Sequence, residues 1–342
     1  LRRFNLSTTL CTNAIVQDEL SDVGVLVTAG PGINPALHSI GSHYTVLSGG
    51  LDHRGTEIKA LDLDSSLKCI EAYLQEGIRV FSVVSKFSPR NPKHEEQLAE
   101  LIGDRCDFKT LGHTLSGQLN FPRRIATSYY NSAVWPIFNS FASSVTESLE
   151  HFGLTPPHVN IPKADGGTMT LSQARQTPVE SIFSGPSASI MGIMALCDIR
   201  EDALMLDIGG TTTDVAVFAG GDPLIEAESV ELAHRPTLVR AMKSKSIGLG
   251  GDSAVTAVNG QLQVGPKRLG ACMAQGGSCP TLVDALNCVK SFSYGDTQAS
   301  DRGMKELGAA VGQSCEDVSW EVIRSACDRI REETAQMLDE IN

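Results

Sequence analysis

The chain has 342 residues, enough for roughly two domains and for a sizeable core without disulfide staples. Hydrophobic residues make up 41% and charged residues 20%, a globular rather than a disordered balance. Lys and Arg number 28 against 40 Asp and Glu, and the resulting net charge of −12 argues against nucleic-acid binding, while a small phosphate-bearing ligand held by backbone N–H groups stays open.

The 32 glycines lie above the usual share of roughly 7%, so turns and close approaches carry weight here. No apolar run nears the ~18 residues of a membrane span, and the N-terminus shows no apolar signal region. The nine cysteines form no C-x-x-C pair. They read as reduced thiols, and the expected location is cytoplasmic, away from any membrane.

In chain order, the apolar run 23–29 predicts a buried strand turning at Gly30, Pro31 and Gly32. A helix is expected over 67–74 with Gly77 as its stop, then a strand over 78–84. Pro92 opens a helix through about 102, and a strand follows over 107–111. Residues 123–152 read as a long helix that Pro136 kinks or splits. A strand over 158–162 leads into Asp165, Gly166 and Gly167, and a small-residue helix spans 187–197. Strands are expected over 203–208, 213–219 and 224–233, with a turn at 220–223. Beyond Gly265 the pattern becomes irregular, then helical over 281–289 and about 300–341. The last segment is amphipathic, with Val318, Val322, Ile323, Ala326, Ile330 and Met337 on one face. Alternating strands and helices argue an α/β core.

The informative motif is D-I-G-G-T-T-T-D-V over 207–215, a strand, a glycine turn and a strand. The chain contains no Walker G-x-x-x-x-G-K-[ST], and 248–251 lacks the last glycine of a dinucleotide fingerprint. In a strand–turn–strand setting, Gly209 and Gly210 permit positive φ and let a ligand approach the backbone. Successive N–H groups then converge on an anion, and the hydroxyls of Thr211, Thr212 and Thr213 add donors. Asp207 beside such an anion is repulsive unless a cation intervenes, which implies Mg²⁺. The alternative is an ordinary polar hairpin. Three further turns share this character: 165–168, Gly185 before the small-residue helix, and the run with Gly248, Gly250, Gly251 and Asp252. Together they suggest loops lining one ligand site at strand ends.

The 207–215 motif resembles the second phosphate loop of the actin-like ATPase superfamily. The chain as a whole resembles the hydantoinase/oxoprolinase family, in the hydantoinase A type of subunit. The matching stretches are S-T-T-L-C-T-N-A-I over 7–15, N-P-K-H-E over 91–95, D-G-G over 165–167, S-G-P over 184–186, 207–215, 246–251, V-G-P over 264–266 and P-T-L-V-D-A over 280–285. The resemblance implies an α/β fold of the actin-like, ribonuclease H-like, two-domain type. The first domain is expected over 1–185 and the second over 186–342. Family members usually begin with an additional D-x-G-G-T hairpin and carry a later glycine pair for adenosine. This chain, which opens on Leu1, is expected to lack both.

The activity implied is ATP-dependent opening of a small cyclic amide of the hydantoin or 5-oxoproline type, with ATP and Mg²⁺ as cofactors. The shared logic is phosphorylation of an amide or enolate oxygen. Asp207 and Asp214 are then the candidate catalytic carboxylates, with Asp207 on the metal. Gly209, Gly210, Thr211, Thr212, Thr213, Gly185, Gly248, Gly250, Gly251 and Asp252 are candidates for nucleotide, and Asp165, Gly166, Gly167 and His234 for substrate. A hydantoinase B-like partner subunit and an oligomer are expected. The rival readings are an ATP-dependent carboxylase subunit, a small-molecule kinase, or a non-catalytic member.

Other residues carry less. His94 reads as structural, and Cys272 and Cys279 as two free thiols. Asp284 is open between a residue supporting the site and a plain helix-start residue. Neither zinc-finger spacing, H-E-x-x-H nor a G-x-S-x-G elbow occurs.

Overall fold

The computed structural model describes residues 4–153, 159–227 and 229–340. The chain forms two compact units, Leu1–Ile193 with Ile225–Met242, and Met194–Leu224 with Lys243–Asn342. The domain border expected at 185–186 falls inside the helix Ser184–Leu196.

The first unit is built on a five-stranded sheet. Its order is Glu57–Lys59, His43–Leu51, Val23–Ala29, Val80–Ser85, Phe108–Leu111, all parallel except the first. Val23–Ala29 and Val80–Ser85 are apolar on both faces because helices cover both. Leu26, Phe81 and Val83 pack with Ile70, Leu98 and Ile102 on one side. Val25, Val27 and Val84 pack with Ile125, Ala133, Val134 and Phe138 on the other. A smaller sheet joins Phe4–Asn5, Val159–Pro162 and Thr168–Thr170. His158, expected to start the middle strand, lies outside the described residues.

Pro136 does not split the long helix, which runs unbroken from Phe121 to His151. A proline inside a helix costs about 3 kcal/mol. Val134 and Phe138, both fully buried on the sheet side of this proline, contribute about 1.5–3 kcal/mol each by leaving water, enough to hold the helix together.

Polar groups anchor the carboxyl ends of the central strands. Glu95 is fully buried and accepts from the Ser85 N–H (2.7 Å), the His113 N–H (2.9 Å) and His113 Nδ1 (2.6 Å). Arg124, also fully buried, donates to the carbonyls of Ser85 (2.7 Å) and Lys86 (2.6 Å). Burial pulls the Arg124 guanidinium down to about 10 and lowers the Lys86 ammonium.

The second unit centres on the antiparallel strands Ala203–Ile208, Thr213–Ala219 and Ser244–Ile247, with Thr213–Ala219 in the middle. Its core joins Val215, Val217, Ile247 and Val255 to Met304, Val318, Val322 and Met337. Three expectations need correction. The strand over 224–233 does not form: Ile225 makes an isolated bridge to Met242, and only Glu231–Leu232 is strand, paired with Arg235–Pro236. Glu228, within that stretch, lies outside the described residues. The irregular region begins later than Gly265, since Ser253–Val258 and Gln261–Arg268 form a hairpin. The C-terminal helix is two helices, Thr297–Val311 and Cys315–Asp339. Gly312 ends the first in the left-handed region (φ 75°), and the Ser314 hydroxyl caps the second by accepting from the Asp317 N–H.

The hydrogen bond to Glu95 raises the His113 imidazole above its ordinary 6.5 against the opposing effect of burial. A raised histidine contributes stability that is full below the unfolded value and lost as pH climbs through the folded one. Urea midpoints of the wild type should therefore fall as pH rises above about 6.5. His113→Gln should flatten that slope; an unchanged slope would remove His113 from the balance.

Candidate functional site

The hairpin 207–214 lies wholly in the second unit. Asp207 and Asp214 sit directly opposite one another across the two strands. Like charges at facing positions repel, so this pair favours a shared cation. The turn closes with the Gly209 N–H donating to the Thr212 carbonyl (2.9 Å). Gly210 and Thr211 are exposed, and among the described residues their N–H groups have no intramolecular acceptor. Thr213 differs from its neighbours: it is fully buried and donates through Oγ1 to the Leu249 carbonyl (2.7 Å). It braces the site rather than facing a ligand.

The run 248–252 docks on this turn backbone to backbone. The Gly251 N–H donates to the Gly209 carbonyl (2.9 Å) and the Asp252 N–H to the Gly210 carbonyl (2.7 Å). The Gly250 N–H donates to Ser253 Oγ (2.9 Å), and the Leu249 N–H to the Ile247 carbonyl (2.7 Å). These N–H groups are thus used internally, and the run holds the hairpin in place. The Asp252 carboxylate pairs with Arg268 (2.7 Å).

Neither Gly209 nor Gly210 adopts a positive φ, so the conformational reason expected for them is replaced by a steric one. A Cβ on Gly210 would meet Asp252 Oδ2 at 2.8 Å, and one on Gly250 would meet the Gly209 carbonyl oxygen at 2.6 Å. Beside the docked loops, Ile208, Thr213, Gly250, Gly251, Ile323 and Ile330 help line an apolar cavity of about 140 Å³.

Asp284 resolves as an anchor. It is fully buried and accepts from the N–H groups of Met273, Ala274 and Thr281 and from the hydroxyls of Thr281 and Ser300. This fixes the start of the helix Leu282–Cys288, and the Val283 N–H at that start donates to the Gly251 carbonyl (3.0 Å).

The remaining predicted residues lie in the first unit. Asp165 accepts the Gly167 N–H through Oδ1 (3.0 Å) and faces Lys163 at 3.5 Å, while Gly166 turns at φ 83°. This tight turn borders a polar cavity of about 480 Å³ lined by Lys163, Thr168, Gln173, Gln176, Thr177 and Glu180 among others. Lys163 and Glu180 form an ion pair at 2.9 Å. Gly185 follows Ser184, whose hydroxyl lies 3.3 Å from that of Ser7. His234 is not where it was expected. Ala233 and His234 (φ 44° and 62°) form the two-residue turn of the hairpin Glu231–Leu232/Arg235–Pro236, which exposes the imidazole at a tip. That hairpin is held by Tyr130, which donates to the Leu232 carbonyl (3.0 Å). His94 is structural, fully buried with Nε2 2.8 Å from Glu57. Cys272 and Cys279 are free thiols.

Sequence reasoning missed Ser253, Arg268 and Thr213 as braces. Each acts on a partner at least 15 residues away or through an ordinary hydroxyl; Thr213, inside the motif, and Ser253, next to the glycine run, carried a signal, but Arg268 had none.

The comparisons with known proteins agree along the chain. The hydantoinase/oxoprolinase model matches residues 124–340, and the model of the hydantoinase/oxoprolinase N-terminal region matches 1–106. The chain belongs to the hydantoinase/oxoprolinase family. The caprolactamase subunit alpha of Pseudomonas jessenii is 24% identical over 310 residues, 81% of this chain and 44% of that protein. The 5-oxoprolinase PfmaA of Pestalotiopsis fici is 27% identical over 203 residues, 57% of this chain and 15% of that protein. The chain thus spans less than half the length of these relatives. The nucleotide-free structure of acetone carboxylase superposes with a TM-score of 0.76 at 17% identity, over 98% of this chain and 54% of that one. The chain shares the fold of that structure, which agrees with the actin-like fold class that the motif at 207–215 implied. No helix among the described residues is long and apolar enough to cross a membrane.

Substitutions at Gly250 and Asp284 test the docking, and one at Gly192 serves as the control. Gly250→Val forces side-chain atoms into the Gly209 and Gly210 backbone and should cost about 1–3 kcal/mol by urea unfolding. Gly192→Ala, whose added carbon meets nothing within 4 Å, should be neutral or stabilising by up to about 1 kcal/mol. Asp284→Ala leaves three buried N–H groups without their acceptor and should cost about 3 kcal/mol or more; a smaller loss would mean water replaces the carboxylate.

Proposed function

We propose that the chain is the nucleotide-handling part of an ATP-dependent enzyme that opens a small cyclic amide. The observation that carries this reading is the facing pair Asp207 and Asp214 beside a turn with exposed N–H groups at Gly210 and Thr211. Two adjacent carboxylates suit a hard divalent cation, and outward N–H groups on a turn without side-chain cover suit a phosphate. Mg²⁺ would be held by Asp207, with Asp214 beside it, and the phosphates by Gly210, Thr211 and Thr212; Gly209, whose N–H closes the turn onto the Thr212 carbonyl, shapes the turn instead of binding phosphate. Bound ATP would supply the phosphoryl group that makes an amide oxygen a leaving group.

The chain's own contribution is preorganisation. Loop 248–252 and Thr213 fix the hairpin, so the donors and carboxylates are placed before any ligand arrives, and electrostatic stabilisation of a transferring phosphoryl group then dominates. We assign substrate recognition to the Asp165–Gly166–Gly167 turn and the polar cavity beside it. Lys163, Glu180 and the amide side chains of Gln173 and Gln176 offer both donors and acceptors, as an amide with an ionised substituent requires. The amide class rests on the caprolactamase and 5-oxoprolinase relatives. The likeness to acetone carboxylase supports a second reading, carboxylation of a ketone. A hydantoinase B-like partner subunit belongs with either reading, since the caprolactamase relative is itself a subunit.

Calorimetric titration with ATP and Mg²⁺ tests the site. Asp207→Asn should weaken Mg²⁺-dependent nucleotide binding by about tenfold or more, the loss expected for one charge-assisted contact of 1.5–3 kcal/mol. Unchanged binding removes Asp207 from the site. Product analysis with the partner subunit present separates a ring-opened acid from a carboxylated ketone.

A further inference from the structure

We propose that Cys288, Asp301 and Cys315 form a binding site for a thiophilic divalent cation of the zinc class. The three residues come from three helices of the second unit, at the end of Leu282–Cys288, within Thr297–Val311 and at the start of Cys315–Asp339. Their ligand atoms all lie within 4.8 Å of one another, a convergence of metal-binding side chains found nowhere else among the described residues. They share no residue with the 207–214 hairpin.

The geometry fits a tetrahedral ion. Cys288 Sγ and Cys315 Sγ are 3.6 Å apart, and Cys288 Sγ is 3.1 Å from Asp301 Oδ1. Two sulfurs at about 2.3 Å from Zn²⁺ on a tetrahedron stand roughly 3.8 Å apart, and a sulfur and an oxygen roughly 3.5 Å. Filling the site thus asks for shifts of a few tenths of an ångström in these two pairs, while Cys315 Sγ and the Asp301 carboxylate lie within 4.8 Å of each other. Closing a disulfide instead needs the sulfurs at about 2.05 Å, a much larger approach. Both thiols are half-buried, which leaves the fourth position to water.

The chemistry selects the ion. Two sulfurs and one oxygen suit Zn²⁺ and disfavour Mg²⁺, which takes oxygen ligands only. Cys315 is the first residue of a 25-residue helix, so its position is fixed by that helix start. Burial, with Asp301 and Cys315 beside it, pushes the Cys288 thiol up, so the unfilled triad holds neutral thiol there and a cation must displace its proton. Bound metal would cross-link three helices joined by the break at Gly312 and the segment 289–296.

The test uses the full chain, reduced with a phosphine under argon and titrated with Co²⁺. The expected result is a thiolate-to-cobalt charge-transfer band with intense tetrahedral visible bands, both removed by equimolar Zn²⁺. Cys288→Ser and Cys315→Ser should each abolish the band, while Cys197→Ser/Cys327→Ser, at two exposed cysteines, should keep it. Should the serine variants fail to fold, alkylation of the wild type decides: Zn²⁺ should protect Cys288 and Cys315 selectively. A wild type without the band, a band that survives in the Cys288→Ser/Cys315→Ser chain, or equal alkylation with and without Zn²⁺ would overturn the assignment.

Discussion

The second unit depends on two hydrogen bonds, from the Gly251 and Asp252 N–H groups to the Gly209 and Gly210 carbonyls. They join two turns that lie some forty residues apart in sequence, and the close backbone approach leaves no room for a Cβ at Gly250. The hairpin turn is fixed from one side, and among the described residues its N–H groups at Gly210 and Thr211 have no internal acceptor. The facing carboxylates of Asp207 and Asp214 follow from the same register, since a slip of one residue would send one of them to the other face of the sheet.

The docking is itself supported. The Gly251 carbonyl accepts from Val283, and Asp284, one residue on, gathers five donors in the interior. An ion pair from Arg268 to Asp252 covers the outer side. This chain of contacts runs from a helix start through a glycine loop to the 208–212 turn, so the turn inherits the rigidity of the core. The first unit uses a comparable device: Glu95 and Arg124, both buried, hold the carboxyl ends of the central strands through backbone groups. In each unit a buried charged side chain fixes main chain near strand ends, the region where α/β proteins place their ligands.

Much of this was legible in the residues. The strands Val23–Ala29, Ala203–Ile208 and Thr213–Ala219 read directly from apolar runs followed by glycine; burial on both faces keeps the first free of polar interruptions, whereas Ala203–Ile208 is apolar in sequence yet mostly exposed. The helix break at Gly312 had its signal, a glycine followed by Ser314 and Asp317, but sat in a long amphipathic pattern that masked it. The turn at Ala233 and His234 had none, since positive φ without glycine is dictated by the strands around it and by Tyr130. The unbroken helix through Pro136 likewise reflects packing against a sheet that local propensity does not register.

The sequence by itself determined the α/β class, the strand–glycine turn–strand hairpin at 207–215 and the family, because glycine spacing, threonine runs and strand-end carboxylates are local and chemical. Tertiary structure alone decided which groups meet: the loop 248–252 as brace, Thr213 as an inward hydroxyl, Asp284 as an anchor, and the convergence of Cys288, Asp301 and Cys315. The physical reason is the same in each case. These contacts join residues from separate elements, and their distances are set by how helices and strands pack, which no spacing along the chain encodes.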